Sequence, residues 1–232
     1  MGRRTSKQTE LLFRPHGGRR RGAGRTPKGE RPLVGHRPRA TLTGAEPVLV
    51  TLKLRPEVWN LRSRRAFARV LDALVRAREQ RGTRITHYSV QRDHVHLLIE
   101  ADTIRRLSRA IQGLAVRLAR RLNKMMGRTG KVFADRFHER VLRTPRQVRN
   151  ALAYVLCNAR KHRHAPPRRG WLDPFSSADL FDGWVTGPVA REPDLADLSV
   201  TLPRTWLLRI GWRRAGGLLD PDHRPGPLAA AS

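Results

Sequence analysis

The order of periodic segments in this sequence predicts an α+β fold, in which helices cover one face of a small antiparallel sheet in a ferredoxin-like arrangement. Two strand-like runs, 84–91 and 94–100, are separated by only two residues, which is the spacing of a hairpin. Residues 103–126 carry apolar side chains at steps of three and four and precede Gly127, which indicates a long amphipathic helix. The whole order is strand, helix, strand, strand, helix, strand, helix, and stacking the helices on the sheet buries their apolar stripes.

The first strand and the first helix are predicted at the start of the ordered domain. Residues 48–54 (VLVTLKL) are β-branched and apolar, as a strand requires. Apolar residues from Phe67 onward keep helical spacing as far as Arg78, and Gly82 stands at a natural C-terminal stop. A strand and a helix therefore precede the hairpin.

The last strand and the last helix follow the long helix. Residues 131–142 alternate between apolar and basic side chains in strand fashion. The third helix has the clearest start signal in the chain, because Thr144 provides a hydroxyl N-cap, Pro145 fits the first helical position and Gln147 closes a capping box. The apolar stripe of this helix consists of Val148, Leu152, Val155 and Ala159.

Three regions are expected along the chain. Residues 1–45 are rich in Gly, Pro and Arg without periodicity, and we interpret them as a flexible basic arm that either lies along phosphates or is a solvated tail without a defined role. Residues 46–164 form the folded domain. Residues 165–232 lose regularity, and we expect an irregular extension that packs its aromatic side chains on the domain, followed by a tail.

The charge of the chain points to a polyanionic partner. Its 232 residues include 48 Lys and Arg against 19 Asp and Glu, a formal net charge of +29, and such a surplus attracts nucleic acid. No segment approaches the roughly 18 apolar residues of a spanning helix, and no apolar run of signal-peptide length begins the chain. The single Cys157, most simply a small buried residue, excludes an internal disulfide and a cysteine-based zinc site. We therefore expect a soluble, cytoplasmic, nucleic-acid-associated protein.

Two groups of basic side chains are candidates for holding a DNA backbone, although for any one of these residues alone a solvated surface is the better explanation. The candidates are Arg136, His138 and Arg140 on the last strand, and Arg117, Arg120 and Arg121 on the long helix.

Two histidines, His94 and His96, flank Val95 in the second strand of the hairpin. Because side chains alternate along a strand, both imidazoles project from one face about 7 Å apart, while Val95 points into the core. This arrangement suits two ligands of one divalent metal ion. Ordinary surface histidines have the same spacing, so the pair by itself leaves both interpretations open.

In the third helix, Tyr154 and Asn158 lie one turn apart and away from the apolar stripe. At the helical rotation per residue, Tyr154 lies roughly 130° and Asn158 roughly 90° from the centre of the stripe. A hydroxyl and an amide are thereby presented together. An amphipathic tyrosine at the edge of the core explains the same position, and this alternative also stays open.

Four segments together resemble the single-tyrosine HUH transposases, the insertion-sequence enzymes that act on single strands, and most closely their REP-associated tyrosine transposase relatives. The segments are QRDHVHLLIEA at 91–101, GLAVRLARRLN at 113–123, GRTGKVFADRFHERVL at 127–142 and RNALAYVLCNARKH at 149–162. The likeness extends over about 46–162. His-hydrophobic-His and Tyr-x-x-x-Asn are each unspecific, but their order around a long helix and an aromatic strand is fairly specific.

The resemblance implies a fold of the HUH endonuclease type in which His94, His96 and Asn158 ligate Mg²⁺ or Mn²⁺ and Tyr154 is the nucleophile. It implies a transposase that cleaves and rejoins single-stranded or hairpin DNA through a 5′-phosphotyrosine and a free 3′-OH. Because the phosphotyrosine retains the energy of the phosphodiester, rejoining needs no nucleotide cofactor, and the sequence contains no P-loop.

The alternative is a domesticated or non-catalytic DNA- or RNA-binding protein on the same scaffold. Retention of all four reacting side chains favours the transposase, because a pure binder has no use for them together. We expect a bacterial, nucleoid-associated protein with no membrane partner. The sequence leaves open whether it is a homodimer or a monomer, and with this whether Tyr154 acts in its own subunit or in a partner's.

Overall fold

The computed structural model describes residues 41–80, 82–162, 164, 166, 168–186 and 199–226. Most of the predicted basic arm (1–40) and two parts of the predicted extension and tail (187–198 and 227–232) lie outside the described residues. The elements are β1 Val48–Lys53, α1 Arg64–Val75, β2 Glu79–Gln80, β3 Thr83–Val90, β4 His94–Ala101, α2 Ile104–Met126, β5 His138–Val141, α3 Pro145–Leu156, α4 Asn158–Lys161 and α5 Trp206–Arg209, with short 3₁₀ turns at Ala178–Leu180 and Gly211–Ala215.

The five strands form one antiparallel sheet in the order β2-β3-β4-β1-β5. The hairpin predicted from the two-residue spacing is confirmed as β3 and β4. In the centre of the sheet β1 pairs with β4, so that Lys53 lies opposite His94 and Thr51 lies opposite His96. Thr51 also lies opposite His138 of β5, and one cross-strand row therefore carries these polar side chains on a single face.

Helices cover both faces of this sheet. Val50 of β1 and Leu97 of β4 belong to a core that they share with α1 and α2. Leu49 and Leu98 are the adjacent residues on these two strands, and their side chains point to the opposite face of the sheet. They belong to a second core with α3 and the C-terminal extension. The α+β fold class is confirmed, but α3 does not share the face of the other two helices. The prediction of helices on one face left the histidine-bearing face of the sheet uncovered. In the structure α3 covers part of that face.

The helix ends follow the capping chemistry of the sequence. Thr144 and Gln147 form the predicted capping box at the start of α3, and Gly127 ends α2 in the left-handed conformation. The first helix is shorter than predicted, because it ends at Val75 and the chain turns into β2. Gly82, with φ +74, is the turn between β2 and β3 rather than the stop of that helix.

The fourth strand-like segment of the sequence, 131–142, is paired regularly only at its end. β5 covers His138–Val141, and upstream of it Phe133 makes an isolated bridge to Leu54. Phe133 and Phe137 still pack against the first core, as their alternation predicts. The apolar positions are therefore satisfied without continuous strand pairing.

The described part of the C-terminal extension is integrated into the domain. Phe181, Trp184 and Trp212 are buried in the second core beneath α3. Phe175 packs edge-on against Phe67 of α1, with ring centroids 4.8 Å apart. Throughout the segments that the structure describes, no helix is both long enough and apolar enough to cross a membrane.

Candidate active site

The histidine pair opens strand β4, immediately after the tight turn of the hairpin. Val95 and Leu97 are buried in the first core, so alternation directs His94 and His96 to the opposite face of the sheet. The imidazole centroids are 4.7 Å apart in an edge-on arrangement, closer than the 7 Å that strand geometry alone predicts. The two rings therefore converge instead of standing in parallel.

Hydrogen bonds fix the orientation of each imidazole. His96 Nδ1 lies 2.9 Å from Thr51 Oγ1, its direct cross-strand neighbour, and His94 Nδ1 lies 2.8 Å from Asp93 Oδ1. With Nδ1 occupied, Nε2 is the nitrogen left to act. His96 Nε2 is buried and has no hydrogen-bond partner among the residues described.

Tyr154 comes from the last turn of α3 and lies against this pair. Its ring packs edge-on against His96 with centroids 5.0 Å apart, and Lys161 Nζ lies 4.7 Å from the centre of its ring. The phenol and the imidazoles belong to the same chain, so their proximity requires no second copy.

Asn158 directly follows a break between two helices. The chain leaves α3 at Cys157 and starts α4 at Asn158, so that the two residues of the Tyr-x-x-x-Asn motif stand on successive helices and not on one continuous helix. The Asn158 side chain is fully buried, and both of its amide atoms lack a partner among the described residues. Tyr154, four residues before Asn158, contacts His96, and His162, four residues after it, lies with its ring centroid 5.5 Å from that of His94.

Burial sets the protonation of the two central groups. Desolvation, and then the positive charges of His94, His162 and Lys161, lower the pKa of His96 well below its usual value. The imidazole is therefore neutral at neutral pH, as a metal ligand must be. Burial also raises the pKa of the Tyr154 phenol, so the resting hydroxyl keeps its proton and needs activation before it can attack.

The donor set fits a divalent cation. Among the described residues no group of three His, Cys, Asp or Glu side chains is placed to hold a metal ion, so a site at the histidine pair needs a donor of another kind, for which the Asn158 amide oxygen is a candidate. Two imidazoles and one amide oxygen are suitable ligands for Mn²⁺ or Mg²⁺. A buried imidazole nitrogen and a buried amide oxygen without partners are costly unless something binds them, and a metal ion would bind both of these atoms.

Several residues of this region were missed by sequence reasoning. Thr51 is identified only by the register that pairs it with His96, and no local motif marks it. His162 follows Asn158 by one helical turn, and its spacing was available in the sequence as a weak signal. Gln91 is buried at the hairpin turn, where its Nε2 donates to Ser89 at 2.8 Å while Oε1 lacks a partner among the described residues.

The structure separates the two groups of basic candidates. His138 and Arg140 lie on β5, opposite Thr51 and Leu49, and so face the same side of the sheet as His96. Arg136 lies just before this strand and is exposed. The arginines of α2 belong to the layer on the opposite face, where Arg121 is ion-paired with Asp72 of α1. The remaining members of this second group are Arg117 and Arg120, of which Arg120 is exposed.

Comparisons with known proteins agree with this fold. Residues 47–151 match the family model described as Transposase IS200 like, a match that ends three residues before Tyr154. A solved structure described as the REP-associated tyrosine transposase bound to a REP hairpin is similar to this chain with a TM-score of 0.52 and 19% identity. The similarity covers 74% of this chain and 99% of that one. A search of curated proteins found no match.

Both matches concern transposases, and the solved structure shares the antiparallel sheet and helices described above. The segment at residues 47–151 matches the IS200-like transposase family, and the fold matches that of a REP-associated tyrosine transposase, so the resemblance seen in the sequence is confirmed.

Proposed function

We propose that this protein cleaves and rejoins single-stranded or hairpin DNA, with Tyr154 as nucleophile and His94, His96 and Asn158 as ligands of Mg²⁺ or Mn²⁺. The observation that carries the proposal is the placement of Tyr154 against His96, whose buried Nε2 lacks a partner just as the buried Asn158 amide does. A binding surface alone gives no reason to bury these groups unsatisfied.

The reaction follows from the groups that the chain supplies. Tyr154 Oη attacks the scissile phosphorus, a bond from Oη to phosphorus forms, and the bond from phosphorus to the 3′ oxygen breaks. The phenolic proton passes to solvent, and the departing 3′ oxygen takes up a proton to become a 3′-OH. A divalent cation, when bound, stabilises charge on the phosphate oxygens and on the leaving oxygen. Attack by another 3′-OH on the phosphotyrosine reverses these bond changes and rejoins a strand.

The expected substrate is a strand with a hairpin. The similar structure contains a transposase bound to a REP hairpin, and we infer a DNA partner of the same kind for this chain. His138 and Arg140 face the same side of the sheet as His96, so they are the candidates for holding the backbone beside the scissile phosphate.

A labelled-strand assay tests the proposal. With Mn²⁺ present, a hairpin-bearing strand labelled at its 3′ end should comigrate with the denatured protein, because the 5′-phosphate side stays on tyrosine. The same strand labelled at its 5′ end should yield a free fragment instead. His94→Ala should lower adduct formation by at least about 100-fold without unfolding the domain, because one metal ligand is lost. A 5′ label on the protein, or an adduct that forms equally well in EDTA, would contradict this mechanism.

Thr51 provides a separate test of the metal site. Its hydroxyl holds His96 Nδ1 at 2.9 Å, and loss of such a supporting hydrogen bond typically lowers metal affinity by about 10–100-fold. We therefore expect Thr51→Val to weaken Mn²⁺ binding by that factor, measured by calorimetry in the absence of DNA. Thr51→Ser, which keeps the hydroxyl, should bind nearly as the unmodified protein does. Equal Mn²⁺ affinity of the Val variant and the unmodified protein would remove Thr51 from the site.

A further inference from the structure

An exposed apolar row lies in the C-terminal extension, outside the segment that matches the transposase family. Leu202, Trp206 and Ile210 are 86%, 47% and 49% exposed, respectively, although all three are large apolar side chains. They stand four residues apart and are flanked by the exposed basic residues Arg204, Arg209, Arg213 and Arg214. We call these seven residues the C-terminal patch. An exposed tryptophan among arginines requires an explanation, because such a group usually marks a binding surface.

Trp206 is held in a fixed orientation. Thr205 caps the helix that begins at Trp206, and Glu100 of β4 accepts hydrogen bonds from the backbone N–H groups of Arg204 and Thr205 at 2.7–3.0 Å. The indole ring lies against the backbone of Gly211, where an added Cβ would stand 2.6 Å from Cζ3 of the ring. The ring is therefore a preorganised platform. It packs on position 211, where any residue larger than glycine would force the indole ring to move.

The charged side chains around Trp206 are mostly positive. The Arg214 guanidinium lies 5.3 Å from the centre of the Trp206 ring. Arg213 has an exposed ion pair with Asp182 at 3.4 Å, and Arg204 a long one with Glu79 at 3.8 Å. Arg209 and Arg214 have no carboxylate partner among the described residues. An anion at this position would therefore meet two cationic groups that are not already neutralised.

We propose that the C-terminal patch is a binding surface for single-stranded DNA, on which a base stacks on Trp206 and neighbouring phosphates contact Arg209 and Arg214. Sites for unpaired strands combine basic side chains with aromatic platforms in this way. A second copy of the chain is a poor occupant, since two chains of charge +29 repel each other across a basic patch. The proposal rests on the proposed function only in taking DNA as the partner.

The location gives this surface a distinct role. β4 begins at His94 and reaches Glu100, the anchor of the patch, six residues later. At the rise of a strand these residues are about 20 Å apart, so the patch holds DNA at a distance from the phosphate that is cleaved. It would therefore strengthen the binding of longer strands and leave the chemistry of short ones unaffected.

Binding without cleavage tests the patch. Fluorescence anisotropy of a labelled oligo-dT strand with the Tyr154→Phe protein in EDTA measures affinity when no adduct can form. Trp206→Ala should lower the affinity about 10-fold with no change in its salt dependence, and Trp206→Phe should keep most of the affinity. Arg209→Gln with Arg214→Gln should instead reduce the slope of log K against log salt by about 1.4, or about 0.7 for each phosphate contact.

Matched control variants distinguish an effect of the C-terminal patch from the effect of removing any exposed apolar side chain or any positive charge. Val116→Ala removes another exposed apolar side chain, on α2, and should leave the affinity unchanged. Arg65→Gln with Arg69→Gln removes the same charge from α1 and should change the salt slope by less than the patch pair does. If Trp206→Ala fails to fold, photocrosslinking of an iodouracil-containing strand to the unmodified protein should still map to the peptide that contains Trp206.

The outcomes are decisive for the patch and independent of catalysis. Unchanged oligo-dT affinity in a folded Trp206→Ala protein overturns the proposal, as does crosslinking confined to other peptides. Binding to phosphatidylglycerol vesicles that depends on Trp206, without an effect on oligo-dT, would assign the surface to lipid and also overturn it. If the tyrosine adduct never forms but Trp206→Ala weakens oligo-dT binding, the catalytic proposal fails and the patch stands.

Discussion

Tyr154→Phe is expected to abolish the covalent protein–DNA adduct and to lower strand cleavage by on the order of 10⁴-fold or more. The ring that packs against His96 is retained in this variant, and only the hydroxyl that would attack phosphorus is removed. The fold should be unaffected, because the Tyr154 hydroxyl makes no hydrogen bond with the residues that the structure describes, and the contacts of the ring remain possible in phenylalanine. The measurement is denaturing electrophoresis of a 3′-labelled hairpin strand after incubation with Mn²⁺.

The chain itself provides a matched control for this experiment. It has two tyrosines, and the other one, Tyr88, lies buried in the core between β3 and the C-terminal extension. Burial raises the pKa of Tyr88 to about 12, which makes its hydroxyl a poor nucleophile in addition to an inaccessible one. Tyr88→Phe should therefore form the adduct normally. An adduct that persists in Tyr154→Phe and disappears in Tyr88→Phe would show that the nucleophile is wrongly assigned.

The fold was predictable because its strongest signals are local. The hairpin follows from two apolar runs around a short turn, and the capping box of Thr144 and Gln147 marks the start of α3 without reference to the rest of the chain. The side of the sheet on which α3 packs is a different kind of property. It depends on Leu49 and Leu98 finding partners in α3 and in the extension, a long-range choice that periodicity does not encode.

The residues of the candidate site could be predicted from the sequence. The contacts that position their side chains could not. Alternation along β4 is enough to put His94 and His96 on one face, and helical spacing is enough to bring Tyr154 and Asn158 near each other. The closer approach of the imidazoles and the break at Cys157 depend on packing between separate elements. Thr51 illustrates the limit, since its contact with His96 joins residues 45 positions apart and exists only through strand register.

Asp173→Ala is expected to destabilise the protein by about 3–5 kcal/mol, because it leaves a buried guanidinium without its carboxylate. Arg62 donates to both oxygens of Asp173, at 2.8 and 2.9 Å, and their side chains are only 10% and 1% exposed. Arg62 also donates to the Val90 carbonyl at the end of β3 and stacks over Phe175 at 4.3 Å. This pair therefore ties the C-terminal extension to the loop before α1 and to the hairpin of β3 and β4. Urea unfolding followed by circular dichroism measures the loss.

Two further variants decide whether the loss comes from the unpaired charge. Asp182→Ala breaks the exposed pair with Arg213 and should cost only about 0–1 kcal/mol, because solvent screens both partners. Arg62→Met combined with Asp173→Ala removes the stranded guanidinium and should recover part of the stability that the single variant loses. A cost of 1 kcal/mol or less for Asp173→Ala would mean that the extension is not anchored by this pair.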